Sequence, residues 1–240
     1  MHRHKSVRMQ GFTLLELLIT LSLFGAIMAF LTTSFFQFQD QNRRAESIFQ
    51  LRQESRILER IIREDLQNVL FLYGYMSGGT KDLDQRKSGL YGISEEVGEL
   101  NKDAIHMHVA RSSRFHRSVP FQRDPVVHEI SYFLEEVEQD QLHLKRREDF
   151  YIDLDITEGE ESIVYTISEN VRSFDIKYYK AKSLDALDEW DSTEVYKRKE
   201  HPLPAGIYVT IELENEKGEK LKTDFQVNLN PDMGVSIKWR

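Results

Sequence analysis

Three hydrophobic periods follow one another along the chain. From Phe12 to about Phe38 the residues are apolar almost without a break, and Glu16 is the one ionisable side chain among them. From Gln39 to Leu72 the apolar residues fall at helical intervals: Ile48, Leu51, Leu58, Ile62, Leu66 and Val69, with Ser55 in the gap. From Ile105 onward apolar and polar residues alternate. The first period predicts a membrane-crossing helix, because about 25 residues at 1.5 Å each span a bilayer core with some tilt. The second predicts that the helix continues in water with one buried stripe. No Gly or Pro interrupts residues 39–72, Glu59 precedes Arg63 by four, and Gly74, Gly78 and Gly79 supply a stop. A single helix of roughly 60 residues is expected.

The third period predicts half-buried antiparallel strands. Ile105, Met107 and Val109 alternate with His106 and His108. Ile130, Tyr132 and Leu134 lead through a Glu138-Gln139-Asp140 turn to Leu142 and Leu144. Residues 162–167 and the series Phe174, Ile176, Tyr178 read as two more strands. Ile207, Val209, Ile211 and Leu213 lead through the charged turn Asn215–Glu219 to Leu221, Phe225, Val227 and Leu229. The polar, glycine-containing stretch 75–103 reads as a connector with little regular structure. The fold class is α+β, with a long N-terminal helix packed on antiparallel sheet.

Charged residues make up 30% of the 240-residue chain, enough to keep the part beyond the apolar segment soluble. The net charge of -8 argues against nucleic acid as a partner, since phosphate binding needs a basic surface. There is no cysteine, which removes disulfides and all thiol chemistry. Arg3, Lys5 and Arg8 precede the apolar segment with no acid among them, so the N-terminus is expected to stay cytoplasmic and residues after Asp40 to lie across the membrane.

The order of these features is unlike an ordinary signal peptide, whose apolar core precedes a small-residue cut site. Here Gly11 precedes the apolar core, and cutting after it would leave the whole helix on the mature chain, beginning at Phe12. The hexapeptide Gly11-Phe12-Thr13-Leu14-Leu15-Glu16 with its basic leader resembles the type III signal of type IV pilins and the pseudopilins of type II secretion. That resemblance implies cleavage between Gly11 and Phe12 by a prepilin peptidase and N-methylation of Phe12. An acid in hydrocarbon costs roughly 2.5–3.5 kcal/mol, so Glu16 needs a partner. The resemblance implies that its carboxylate meets the N-terminal amine of a neighbouring subunit during assembly, where it also favours the helix dipole. Snorkelling to the interface is the bland alternative. Ser22, Gly25, Ala26 and Ala29 add small residues at helix-packing spacing, which chance composition also produces.

A second resemblance covers most of the chain. Leu58-Glu59-Arg60, Glu64-Asp65-Leu66, the run Asn170–Tyr179, Trp190 and Leu203-Pro204-Ala205-Gly206-Ile207 stand in an order similar to the minor pseudopilin J of type II secretion. The charged insert from Ser192 to His201 and the Ala205-Gly206 pair depart from that pattern, and Thr33 stands near where many major pilins carry a proline. The resemblance divides the chain into a cleaved leader (1–11), a membrane and assembly helix (12–38), a soluble amphipathic half of that helix (39–74) and a periplasmic β-rich head (75–240). It implies the pilin fold.

No catalytic constellation stands out. His128-Glu129 is followed by Tyr132 where a zincin would need its second His. Asp153, Asp155 and Gly159 suggest a calcium loop, but Gly159 falls one position late, Thr157 replaces the usual acid or amide, and Val164 stands where the bidentate acid belongs, so the stretch reads as a solvated acidic turn. His106 and His108 share a strand face and could clasp a metal, although a polar face suits them better without a third ligand. Trp190 with Phe174, Tyr178 and Tyr179 reads as core or interface.

The residues call for no enzyme, cofactor or metal, and the resemblance implies an assembly protein. The resemblance implies a minor pseudopilin at the tip of a short periplasmic pseudopilus that promotes protein secretion. Its partners would be the I and K minor pseudopilins, the major pseudopilin, the prepilin peptidase and inner-membrane lipid. A minor pilin of a type IV pilus or a DNA-uptake machine is the close alternative. A membrane-anchored periplasmic enzyme or binding protein is the remote one.

Overall fold

The computed structural model describes residues 13–73, 87–98, 100–113, 126–138, 141–150, 152, 155–157, 159, 162–183 and 185–229. The chain divides into two compact units, Met1–Ile48 and Phe49–Arg240.

Helix α1 (Leu14–Leu66) supplies the first unit and the opening of the second. In the first unit its apolar side chains stand exposed, from Leu14 and Leu15 to Phe36 and Phe38. By length and composition this stretch can cross a membrane. Several of its hydroxyls are satisfied within the helix: Ser22 donates to the Leu18 carbonyl, Thr32 to that of Met28 and Thr33 to that of Ala29, at 2.7–2.9 Å. Such back-bonding lets polar side chains enter hydrocarbon without an unmet donor.

In the second unit α1 packs through the expected stripe. Leu51, Ser55, Leu58, Ile62 and Leu66 are buried, while Ile48, at the end of the first unit, is 38% exposed. The helix ends earlier than the glycines predict. Two tight bonds, Asn68 N–H to Asp65 C=O and Val69 N–H to Leu66 C=O, close its last turn, and the Asn68 amide donates to the Glu64 carbonyl. Beyond them the backbone is extended: Leu70 N–H donates to His108 C=O, and Val69 bridges Val109. Leu70, Phe71 and Leu72 are all buried, which only a segment covered on both sides allows.

Among the described residues the strands are β1 Leu90–Ile93, β2 Glu96–Val97, β3 Leu100–Asn101, β4 Ala104–Ala110, β5 Val127–Glu138, β6 Gln141–Asp149, β7 Ile163–Ser168, β8 Val171–Tyr179, β9 Ala186–Leu187, β10 Trp190–Asp191, β11 Gly206–Glu214 and β12 Lys220–Asn228. One six-stranded sheet runs β10-β1-β4-β5-β6-β7 and a four-stranded sheet runs β12-β11-β8-β9, with every strand pair antiparallel. The inward faces, Ile105, Met107, Val109, Ile130 and Tyr132 on one sheet and Phe174, Ile176, Ile207, Val209 and Ile211 on the other, join the helix stripe in one core. The fold is α+β with the helix packed on sheet, as the hydrophobic periods predict.

Two segments differ from what their sequence suggests. The expected connector 75–103 carries β1, β2 and β3 in its described part. Gly92 marks close packing: an added methyl there would overlap the buried Tyr178 ring and hydroxyl. The charged insert at 192–201 holds a helix, α2 (Ser192–Lys197), capped by the Asp191 carboxylate, which accepts from Thr193 and Glu194 N–H. A capping aspartate followed by good first-turn residues is a local signal, and the high charge of the stretch masks it.

Candidate functional site

Two places concentrate polar groups in an otherwise apolar setting: the start of α1 and the inner layer of the head.

At the start of α1, Gly11 and Phe12 lie outside the described residues. Glu16 is described, and its carboxylate turns back on its own helix. Oε2 accepts from the Thr13 backbone N–H and from the Thr13 hydroxyl, each at 3.2 Å, while that hydroxyl accepts from Glu16 N–H at 3.3 Å. Thr-x-x-Glu at a helix start is a capping box, in which each side chain satisfies the other's orphan N–H. Charge makes Glu16 conspicuous in the sequence and leaves Thr13 inconspicuous, although the spacing of the two alone carries the signal. The carboxylate stands where the helix dipole is positive. The acid that opens this apolar helix is thus held in place by its own first turn.

In the head, Asp65 is fully buried on the last turn of α1. Tyr132 Oη–H donates to its Oδ2 at 2.5 Å and Arg146 Nε to the same oxygen at 2.8 Å, while Arg111 Nη1 reaches Oδ1 at 2.6 Å. Arg146 Nη1 donates in turn to Glu148 Oε2 at 2.6 Å and to the Tyr165 hydroxyl at 2.8 Å. Register explains the meeting, since Arg146 lies opposite Tyr132 on β5 and opposite Tyr165 on β7, all facing α1. Burial by itself disfavours the Arg146 cation, yet the Tyr132 and Asp65 oxygens hold its pKa above the ordinary arginine value. Burial and the Asp65 charge push the Tyr132 phenol well above its usual range. Two acids and two arginines neutralise one another here, which suits a structural clasp between helix and sheet.

The opposite face of the same sheet is also buried around His106 and His108, which corrects the expected polar strand face to a buried one there. His106 shares a hydrogen bond of 2.8 Å with Ser131 Oγ. Burial first, then the Arg147 and Lys87 charges, lower its pKa to about 4. His108 Nδ1 accepts from Gly89 N–H, so its ring proton sits on Nε2 and goes to Glu129 Oε1 at 3.2 Å. Gly89 serves this with φ 88°, a left-handed backbone that favours glycine. Arg147 holds the Ile156 and Thr157 carbonyls at 2.7 Å. Of the expected acidic turn, Asp153 lies outside the described residues. Asp155 accepts from Thr157 and pairs with Lys87, and Ile156 is fully buried, so its described part is tied down rather than solvated. Among the described residues no three His, Asp or Glu side chains converge where they could hold a metal ion.

Phe174, Tyr178 and Trp190 are core, and Trp190 Nε1 donates to the Pro202 carbonyl at 2.8 Å. Tyr179 is half-buried at the edge of that group. Asp103 joins the sheets by accepting from Glu95 and Ile176 N–H, and its burial pushes its carboxyl up. A groove of about 660 Å³ lies by β3 and β8, and Lys102–Glu136 and Arg172–Glu214 pair within its lining.

No curated protein matches the chain at a significant level. Residues 7–32 match the family model of the prokaryotic N-terminal methylation motif, which encloses Gly11, Phe12 and the Thr13–Glu16 cap and supports the resemblance to pilins and pseudopilins.

Proposed function

We propose that the chain is a pilin-like structural subunit, processed between Gly11 and Phe12 and N-methylated on Phe12. One observation carries the reading: the methylation motif at residues 7–32 coincides with an apolar helix that opens on a capped acid. The apolar half of α1 anchors the chain in the inner membrane by a single pass, with the leader cytoplasmic and the head periplasmic. Glu16 then exchanges its own cap for the amine of a neighbouring subunit. The dense hydrogen bonding of the buried polar groups in the head suits a rigid assembly block better than a reaction site.

Within this class we assign the chain to the minor pseudopilins of type II secretion, in the J-like position at the pseudopilus tip, with the I- and K-like minor subunits and the major pseudopilin as neighbours. The order of Glu64-Asp65-Leu66, residues 170–179 and Trp190 favours it. Intact-mass analysis tests the processing. The wild-type chain is expected to begin at methylated Phe12, and Gly11→Val to retain the basic leader, because the peptidase must pass a backbone without a side chain. A mature Gly11→Val chain would overturn the cut site. Deleting the chain separates the two systems: lost secretion with intact pili supports the pseudopilin, and lost piliation or DNA uptake with intact secretion overturns it.

A further inference from the structure

The outward face of α1 in the head has the make-up of a contact surface. Arg52, Arg56 and Arg60 follow one another at intervals of four, so they form one stripe, and all three are exposed. Like charges at this spacing repel. An acid within a turn or so on the same helix would ordinarily relieve them, yet the acids from Glu54 to Asp65 are engaged elsewhere. Glu54 accepts from Ser168 and Asn170, Glu59 pairs with Arg63, and Glu64 and Asp65 hold Arg111. Among the described residues none of the three arginines has an ion pair, although the net charge of the chain is -8.

Apolar anchors flank the stripe. Phe49 is 64% exposed and Ile57 41%. Beside Ile57 lies a hollow of about 270 Å³ lined by Gln50, Gln53, Glu54 and, from β7, Ile167. Exposed aromatic and branched aliphatic side chains among arginines and glutamines are the composition of a protein interface, whereas a solvated face is rich in lysine and glutamate.

We infer that this face docks an acidic helix or ridge of a second protein subunit, with carboxylates against Arg52, Arg56 and Arg60 and an apolar side chain in the hollow beside Ile57. Arginine suits the task, since its planar fork pairs two-pronged with a carboxylate. The inference rests on the assembly reading and names the face through which the head is read.

The test uses the full-length chain in phosphatidylcholine nanodiscs. It is mixed with each purified pilin-like subunit encoded beside it, and separately with vesicles containing phosphatidylglycerol. The expected result is binding to at least one subunit, weakening steeply with salt and at least tenfold weaker for R52Q/R56Q/R60Q, with Phe49→Ala weaker as well. An unchanged circular dichroism melt keeps the triple variant interpretable, and replacing the partner's facing carboxylates by arginine should restore binding to R52E/R56E/R60E. If the wild-type chain binds and the triple variant binds equally well, this surface is wrong and the assembly reading stands. If the wild-type chain binds no subunit, both fall. Arginine-dependent binding to anionic vesicles alone would overturn the protein partner in favour of lipid.

Discussion

The Thr13 backbone N–H and the Thr13 hydroxyl both donate to Glu16 Oε2, so the one acid of the apolar segment closes the N-terminus of its own helix. On the proposed reading Glu16 exchanges this local cap for the amine of a neighbouring subunit. Glu16→Leu should therefore insert at least as well as the wild type and still be cleaved, since the desolvation cost disappears. Filament incorporation should fall. Normal assembly of this variant at native expression would rule out a pairing role. Thr13→Val removes the hydroxyl half of the cap at nearly constant shape, at about 1 kcal/mol, and amide exchange at Leu14–Leu17 should quicken.

Asp65 is the anion that two arginines and a tyrosine share. Asp65→Ala leaves the Arg146 guanidinium buried with Glu148 its remaining acid, and should destabilise the head by about 3–5 kcal/mol. The chemical denaturation midpoint reads this. Replacing Asp65, Arg146 and Glu148 together by Leu, Met and Gln should cost less than Asp65→Ala, because Glu148 would otherwise stay buried without its arginine, and equal losses would argue against the clasp.

His106 gives the head an acid-sensitive step. Its pKa is lowered to about 4 in the folded chain and is about 6.5 unfolded. Between these values the unfolded chain binds a proton that the folded chain does not, so stability falls as pH drops from about 6.5 towards 4. The loss is on the order of 3 kcal/mol and levels off below that window. His106→Gln keeps a hydrogen-bonding group towards Ser131 and does not titrate. It should flatten the slope of unfolding free energy between pH 4 and 6.5, and an unchanged slope would exclude His106 as its source.

Gly92 and Tyr178 are packed too closely for a side chain at residue 92. Gly92→Ala should lower Tm, at about 1–3 kcal/mol of overpacking. The Tyr178 hydroxyl is buried and has no hydrogen-bond partner among the described residues. Tyr178→Phe should therefore be neutral or stabilising, and should recover part of the Gly92→Ala loss in a double-mutant cycle. Additive effects would show that the two positions do not touch.

The stripe Leu51, Leu58, Ile62 and Leu66 forms one wall of the head core. A truncation beginning at Gln41 should be soluble and unfold cooperatively. One beginning after Gly79 should expose the opposite wall and aggregate. Size-exclusion chromatography distinguishes them, and a monomeric, cooperatively folded shorter chain would show that the helix is dispensable.

Whatever depends on local order along the chain is legible in the residues themselves. An unbroken apolar run makes a membrane helix wherever it falls, a 3.6-residue period makes a stripe, and strict alternation makes half-buried strands, so α1, β4, β5, β8, β11 and β12 can be read in advance. The methylation motif is legible for the same reason, because its chemistry lies in consecutive residues. Contacts between residues far apart come only from the folded chain. Asp65 and Arg146 are 81 positions apart, and the β5–β6 register and the end of α1 at Leu66 bring them together. The inward charges at Arg146 and Glu148, in line with Leu142 and Leu144, are a visible break in the alternation whose meaning requires their partners. Nor can alternation say that the second face of β4 is covered, since a polar residue looks the same on a wet face and in a buried network. Pattern places His106 and His108 in water. In the fold both are buried, His106 against Ser131 and His108 against Glu129, and that burial is the first cause of the lowered pKa of His106.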